Sequence, residues 1–346
     1  MTSRRRFLWA CLSGAAWSTL PTPSTRAQSF PKSPLATRGV VLVPEDFTLA
    51  DWPERAKNAG LTTIALHHQH SPQIVAQWVR TDAGRQVLEQ CRKLDLQVEY
   101  ELHAMKELLP RNLFAKEPNL FRMNEKGQRT PDANCCTHAR QGLDIIAENA
   151  LTIAKTLQPT TGRYFYWGDD GLPWCLCPHC RELSPTDQAV VVENRICKAL
   201  RTVNPKAQLA HLAYDNTLSP PTKIRPDQGL FLEYAPIHRR YDIPYEKQDA
   251  RQADGLPALD ANLKVFPKET AQVLEYWLDV SLFSKWKRPA VRLPWSREVF
   301  AADVAAYRKR GIRHVTTFAV WIDADYLRRF GNPNFIVEYG QGLTAM

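Results

Sequence analysis

Asp169 and Asp170 stand side by side at the end of an aromatic run, Tyr164–Trp167, and Cys175, Cys177 and Cys180 follow close behind. Paired carboxylates at the end of a rigid strand suit general acid–base chemistry, which depends on fixed geometry. Successive strand residues point to opposite faces. Both acids therefore reach one interior only if the strand is already turning there. One would protonate a leaving group while the other holds a different part of the substrate. The same Asp-Asp-Gly run also fits an ordinary polar turn.

The cysteine trio, with Cys135 and Cys136 as further thiols, matches a four-thiolate structural Zn²⁺ site, and His179 is a weaker ligand candidate. Disulfide pairing is the competing reading in an oxidising compartment. Seven of the eight cysteines lie beyond residue 27, an odd number that leaves at least one thiol unpaired within the chain. Cys91 and Cys197 fall in helical segments and are expected to be buried. No Cys–His arrangement for nucleophilic catalysis stands out. No cofactor is expected for catalysis itself, and Zn²⁺ enters only as a structural candidate.

His67, His68 and His70, with Glu99, Glu101 and His103 on one face of a strand, could instead hold a catalytic metal. Hydroxyl recognition at a strand end is the plainer reading of the same residues. Glu275 and Asp279 are candidates for a second catalytic carboxylate. A retaining glycosidase with an enzyme nucleophile needs its two carboxyls about 5–5.5 Å apart. Surface charge on a helix around Tyr276 and Trp277 is the alternative.

Short apolar strands alternating with amphipathic helices must position these groups. Strands are expected at 40–43, 62–66, 98–102, 164–167, 209–214, 230–234, 273–278 and 314–320. Helices are expected at 52–59, 72–94, 138–157, from Ser184 to about Val203, and at 300–310. Ser184, Pro185 and Asp187 form the start signal of the fourth, a capping box with proline in the first turn. Eight strands in a chain of 346 residues fit an α/β fold of the (β/α)8 TIM-barrel type. A doubly wound sheet is the alternative, but no glycine-rich phosphate loop follows the first strand. In a barrel the chemistry sits at the C-terminal strand ends. Here those ends carry His67, His103, Asp169 and Asp170, Tyr214, Glu233, Glu275 to Asp279, and Trp321. Carboxylates, histidines and aromatic rings in one ring of loops resemble a sugar site.

The chain carries 45 basic and 36 acidic side chains. Residues 1–27 hold four of the arginines and no acid, so the remainder stands at 41 against 36, a net charge of +5. That charge is dispersed, which argues against a nucleic-acid partner. Ser3 to Leu8 reads as a twin-arginine signal, Phe7 to Leu20 as its apolar core, and Thr25-Arg26-Ala27 as a cleavage site. The apolar run is about 14 residues, too short to anchor the chain in a bilayer. The expected organisation is a signal peptide over 1–27 and a single barrel domain over 28–346. The expected destination is the periplasm or the exterior. Oligomeric state is not legible.

Four segments together resemble a known family: Tyr100–His138, the Tyr166–Ser184 run with its Asp pair and Cys-x-Cys-x-x-Cys, Leu209–Pro221, and Leu232–Pro244. Over roughly residues 38–331 the chain is similar to the domain-of-unknown-function 4838 group, which underlies glycoside hydrolase family 163. The resemblance implies a barrel glycosidase acting on N-acetylglucosamine linkages of glycans. It also implies substrate assistance, in which the 2-acetamido oxygen attacks the anomeric carbon and no enzyme nucleophile is needed. On this view Asp169 holds the acetamide and Asp170 is the general acid/base. Burial beside a charged Asp169 is expected to keep Asp170 protonated near neutral pH. His67, His103, Tyr214, Glu233, Tyr276 and Trp321 are expected to line the sugar site, with Glu275 and Asp279 near them. A carbohydrate-binding barrel without turnover and a metal-dependent barrel enzyme are the alternatives.

Overall fold

The computed structural model describes residues 35–68, 71–249 and 253–344. The expected signal peptide lies outside the described residues, as does His70. Eight strands form one sheet: β1 Thr37–Leu42, β2 Thr63–His67, β3 Gln97–His103, β4 Arg163–Trp167, β5 Gln208–Ala213, β6 Leu230–Tyr234, β7 Gln272–Glu275 and β8 His314–Phe318. Each pairs in parallel with the next, and β1 pairs with β8, so the sheet closes into a barrel in chain order. All eight expected strands are present. The expected seventh strand is shorter than its apolar run, because the chain leaves the sheet after Glu275.

The helices follow their local signals. Ser184 accepts a hydrogen bond from the Asp187 backbone N–H, the Asp187 carboxylate accepts one from the Ser184 backbone N–H, and the helix runs Pro185–Val203. One expectation fails. The segment 72–94 is two helices, Pro72–Trp78 and Asp82–Lys93. Thr81 breaks the run because its side chain accepts from the Gly84 backbone N–H and caps the second helix. Gly84 makes the break possible: a Cβ there would lie 2.1 Å from the Trp78 carbonyl oxygen.

Strand alternation sorts the side chains into two cores. Val41, Ala65, Phe165, Trp167, Ala210, Leu212, Phe231, Leu274 and Phe318 pack inside the barrel, while the larger apolar core lies between strands and helices. Beneath the interior apolar residues is a polar layer. The Arg163 guanidinium lies 3.7 Å from Glu99 and donates to the Gln272 side-chain oxygen at 3.0 Å. The Gln272 amide donates to Glu233 at 2.9 Å and to Glu101 at 3.3 Å. Burial pushes Glu99 and Glu101 up, and Glu233 up to about 8.

Candidate functional site

A cavity of about 630 Å³ opens at the C-terminal ends of the strands. Such a volume suits a small ligand such as one or two sugar rings. Of the expected site residues, His67, His103, Asp170, Tyr214, Tyr276, Asp279 and Trp321 line it. Asp169, Glu233 and Glu275 do not.

Asp170 reaches the cavity from the turn after β4. Its side chain is 55% exposed, so the burial expected around it is absent. Tyr214 stands beside it, and burial together with the Asp170 charge pushes the Tyr214 phenol up. His103 faces Asp170 from β3, with Nε2 3.8 Å from Oδ1. The His103 Nδ1 proton is donated to the Gly168 carbonyl at 2.8 Å. With Nδ1 donating to the carbonyl, Nε2 is the ring nitrogen turned toward Asp170. His67 is locked in the same way, Nδ1 donating to the Glu101 carbonyl at 2.7 Å. Burial, then His103, pushes its imidazole down to about 3, so His67 is a neutral ring that presents an acceptor.

Asp169 turns the other way: parity continued from inward-facing Trp167 would have sent it into the barrel, but β4 ends at Trp167 and the turn that follows reverses the sides. Its Oδ2 accepts from Arg111 at 2.5 Å and from the Asn134 backbone N–H at 2.7 Å. Its own N–H donates to the Asn134 side chain at 2.9 Å. The expected acetamide holder is thus a brace between the Asp170 turn and the 134 loop. Apart from these partners it borders only a separate void of about 30 Å³, room for one water, shared with His103 and Tyr214.

The second carboxylate in the cavity is Asp279. Ser281 N–H, Ser281 Oγ–H and Leu282 N–H donate to its Oδ1 at 3.0, 2.5 and 3.2 Å, which leaves Oδ2 uncommitted among these bonds. Burial, opposed by those hydrogen bonds, pushes it up to about 6. Glu275, four residues earlier, points out of the barrel and pairs with Arg239, which also binds Asp303, all three buried. Glu233 points inward but one layer too deep, under Trp167, whose indole N–H donates to it at 2.8 Å.

Four features of the site escaped the sequence reading. Trp167 supplies part of the cavity floor. Trp286, 59% exposed, and Arg288 stand at its edge, and the Arg288 guanidinium lies 4.4 Å from the centre of the Trp321 ring. Buried Asp46 accepts from the Val43 and Trp321 backbone N–H groups and so holds Trp321 at φ 69°. Inward parity could have found Trp167. No local signal marks the other three.

The thiols separate cleanly. Sulfurs of Cys136, Cys175, Cys177 and Cys180 all lie within 4.8 Å of one another and are buried. Cys135 instead packs into the main apolar core, which removes it from the expected ligand set. His179 is also outside the cluster and stacks on His138 at 4.0 Å. No disulfide joins the described cysteines, and Cys91 and Cys197 are buried as expected. The histidine set does not assemble as a metal site among the described residues.

A family model for a domain of unknown function, DUF4838, matches residues 35–277. The chain belongs to this family. Among solved structures, this DUF4838 chain is similar to a β-N-acetylhexosaminidase from Bacteroides fragilis NCTC 9343, with 13% identity and a TM-score of 0.54 over 90% of this chain and 66% of that one. It is similar to a β-galactosidase from Rahnella sp. R3, with 13% identity and a TM-score of 0.55 over 92% of this chain and 58% of that one. It is also similar to an α-amylase from Lactobacillus plantarum, with 10% identity and a TM-score of 0.51 over 88% and 79%. At these identities the likeness shows the barrel fold, and the chain spans 58–66% of the length of the first two. No curated protein matches the sequence. No helix among the described residues is long and apolar enough to cross a membrane.

Proposed function

We propose that this chain is an exported glycoside hydrolase that cleaves an N-acetylhexosaminide, of N-acetylglucosamine type, by a retaining and substrate-assisted route. One observation carries the reading: Asp170 and Asp279 face a single cavity walled by Trp167, Tyr214, Tyr276 and Trp321 at the C-terminal face of the barrel. The fold likeness to a β-N-acetylhexosaminidase guides the choice of first substrate. So does the resemblance to glycoside hydrolase family 163.

In this scheme Asp170 gives its proton to the leaving oxygen as the bond from that oxygen to the anomeric carbon breaks. The 2-acetamido carbonyl oxygen forms a new bond to the anomeric carbon from the opposite face. Asp279, and not Asp169, accepts the amide N–H through its second oxygen and steadies the positive ring that results. Water then attacks the anomeric carbon, the bond from that carbon to the acetamido oxygen breaks to regenerate the amide, and Asp170 takes the water's proton, restoring the starting state. His103 and Tyr214 flank Asp170. Aromatic rings stack on the apolar faces of the sugar.

The test is turnover of an aryl N-acetylglucosaminide and of an N-glycan library by the mature protein. Inhibition by an N-acetylglucosamine thiazoline supports the assisted route. A covalent adduct on Asp279 trapped by a fluorinated sugar would sink it in favour of an enzyme nucleophile. The exposure of Asp170 favours a second reading, a carbohydrate-binding barrel without turnover. Glycan binding that Asp170→Asn alters, with no hydrolysis by either protein, would establish it. Export is tested separately by cell fractionation of a double Arg4→Lys, Arg5→Lys variant. An unchanged distribution would remove the twin-arginine route.

A further inference from the structure

We infer that Cys136, Cys175, Cys177 and Cys180 hold one Zn²⁺ ion in a closed structural site, and that this ion ties the Asp170 turn to the loop that braces Asp169. The inference concerns a separate place in the fold and does not depend on any glycan.

The geometry is that of a mononuclear thiolate site. Four sulfurs at ~2.3 Å from one zinc, set at tetrahedral corners, lie ~3.8 Å apart. Cys136 Sγ is 3.8 Å from Cys177 Sγ and 3.9 Å from Cys180 Sγ. A disulfide needs about 2.05 Å between its sulfurs. All four side chains are buried, so no position is left open for a water and no catalytic role follows. Donors surround the sulfurs as they would a negative group. Met123 N–H and Cys177 N–H approach Cys175 Sγ at 3.3 and 3.5 Å, the Arg129 guanidinium approaches it at 3.6 Å, and Thr137 Oγ1 lies 3.3 Å from Cys180 Sγ. Four thiolates around one divalent ion leave a net charge of −2, which these donors and Arg129 offset. As the ion binds, each thiol gives up its proton to solvent, so loading is reversed by acid.

The ion joins two segments that flank the site. Cys136 lies two residues after Asn134, which bonds to Asp169 and also donates to the Leu172 and Pro173 carbonyls at 2.9 and 3.1 Å. Cys175 follows immediately on that second stretch. Gln188 closes it from below, accepting from the Cys175 N–H at 3.1 Å.

Metal analysis of the purified full chain tests the inference, with one zinc per chain expected. Cys135→Ser is expected to keep the zinc and Cys136→Ser to lose it, although the two residues are neighbours. A strong chelator is expected to lower Tm. Should Cys136→Ser fail to fold, Co²⁺ replacement in the wild-type chain gives a second reading, the intense visible bands of a tetrahedral thiolate site. Zinc-free protein with four reactive thiols and an unchanged Tm under chelation would overturn the assignment. So would loss of four hydrogens by mass spectrometry, which means two disulfides, or equal zinc content in the two variants.

Discussion

The cavity has two unlike walls. On the side of β3 to β5, His103 ends β3, Tyr214 follows β5, and Asp170 stands between them on a turn tied by Arg111, Asn134 and Asp169, close to the four thiols. Opposite, between β7 and β8, the wall is made of Asp279, Trp286, Arg288 and Trp321, and both tryptophans sit on left-handed backbone. The first wall fixes its backbone through the charged contacts around Asp169, while the Asp170 side chain itself stays half exposed. The second presents large ring faces near the open rim. Proton transfer needs the former, because an ångström of misplacement costs rate. Recognition of a ring needs the latter, because stacking tolerates sliding.

The widest separation between the walls is expected from Asp170→Asn. Hydrolysis of the aryl N-acetylglucosaminide should fall about 10²–10⁴-fold, the range for loss of a general acid–base group. Tm should not move, since the side chain is half exposed. Retained turnover would place the chemistry on the other wall.

Asp279→Asn comes next, read as a difference in stability against pH. Below about pH 4 the carboxyl is neutral in the folded and the unfolded chain, so its full stability is present there. Between about 4 and 6 the unfolded chain ionises first, and the wild type loses ground relative to the variant, on the order of 3 kcal/mol in all. Asparagine keeps the acceptor that caps Val280–Phe283, so the cap survives the change. Parallel urea titrations of both proteins from pH 4 to 7 measure it. A constant gap between them would mean that Asp279 is not held in a desolvating place.

Arg111→Ala probes the clamp. It removes one of two donors to Asp169 while leaving the Asn134 N–H, so a loss of about 1–3 kcal/mol is expected. Activity should fall further than that loss predicts if the clamp positions Asp170. The smallest effect is expected from Trp286→Ala: a severalfold higher KM, unchanged kcat, and stability within about 0.5 kcal/mol, as for exposed residues generally. A fall in kcat there would mean that the two walls do not divide the work.

The strands were legible because their inward and outward parity and their turn residues are local. Helix breaks were less so: Thr81 competes with helix continuation through a single side-chain bond that periodicity does not register. At the site, strand-end position found Asp170, His67, His103 and Tyr214. It could not give depth, which places Glu233 beneath Trp167, and the expectation for Glu275 ignored parity, which turns it outward to Arg239. Alternation did argue that Asp169 and Asp170 face apart. Which of the two faces the cavity was not legible, because β4 ends at Trp167 before the pair is reached and the deciding partner of Asp169, Arg111, lies 58 residues away in sequence. Cys135 and Cys136 differ by one position, and only the fold shows which thiol faces the other three.

The Asp46 carboxylate bridges Val43 and Trp321, 275 residues apart along the chain from Asp46 to Trp321. A ribosome therefore delivers one end of this contact long before the other. Until β8 emerges, the growing chain lacks Trp321, and β1 and β7 remain open sheet edges prone to pairing with other chains. The cavity is in this sense the last thing synthesis completes, and a prematurely terminated product would be sticky.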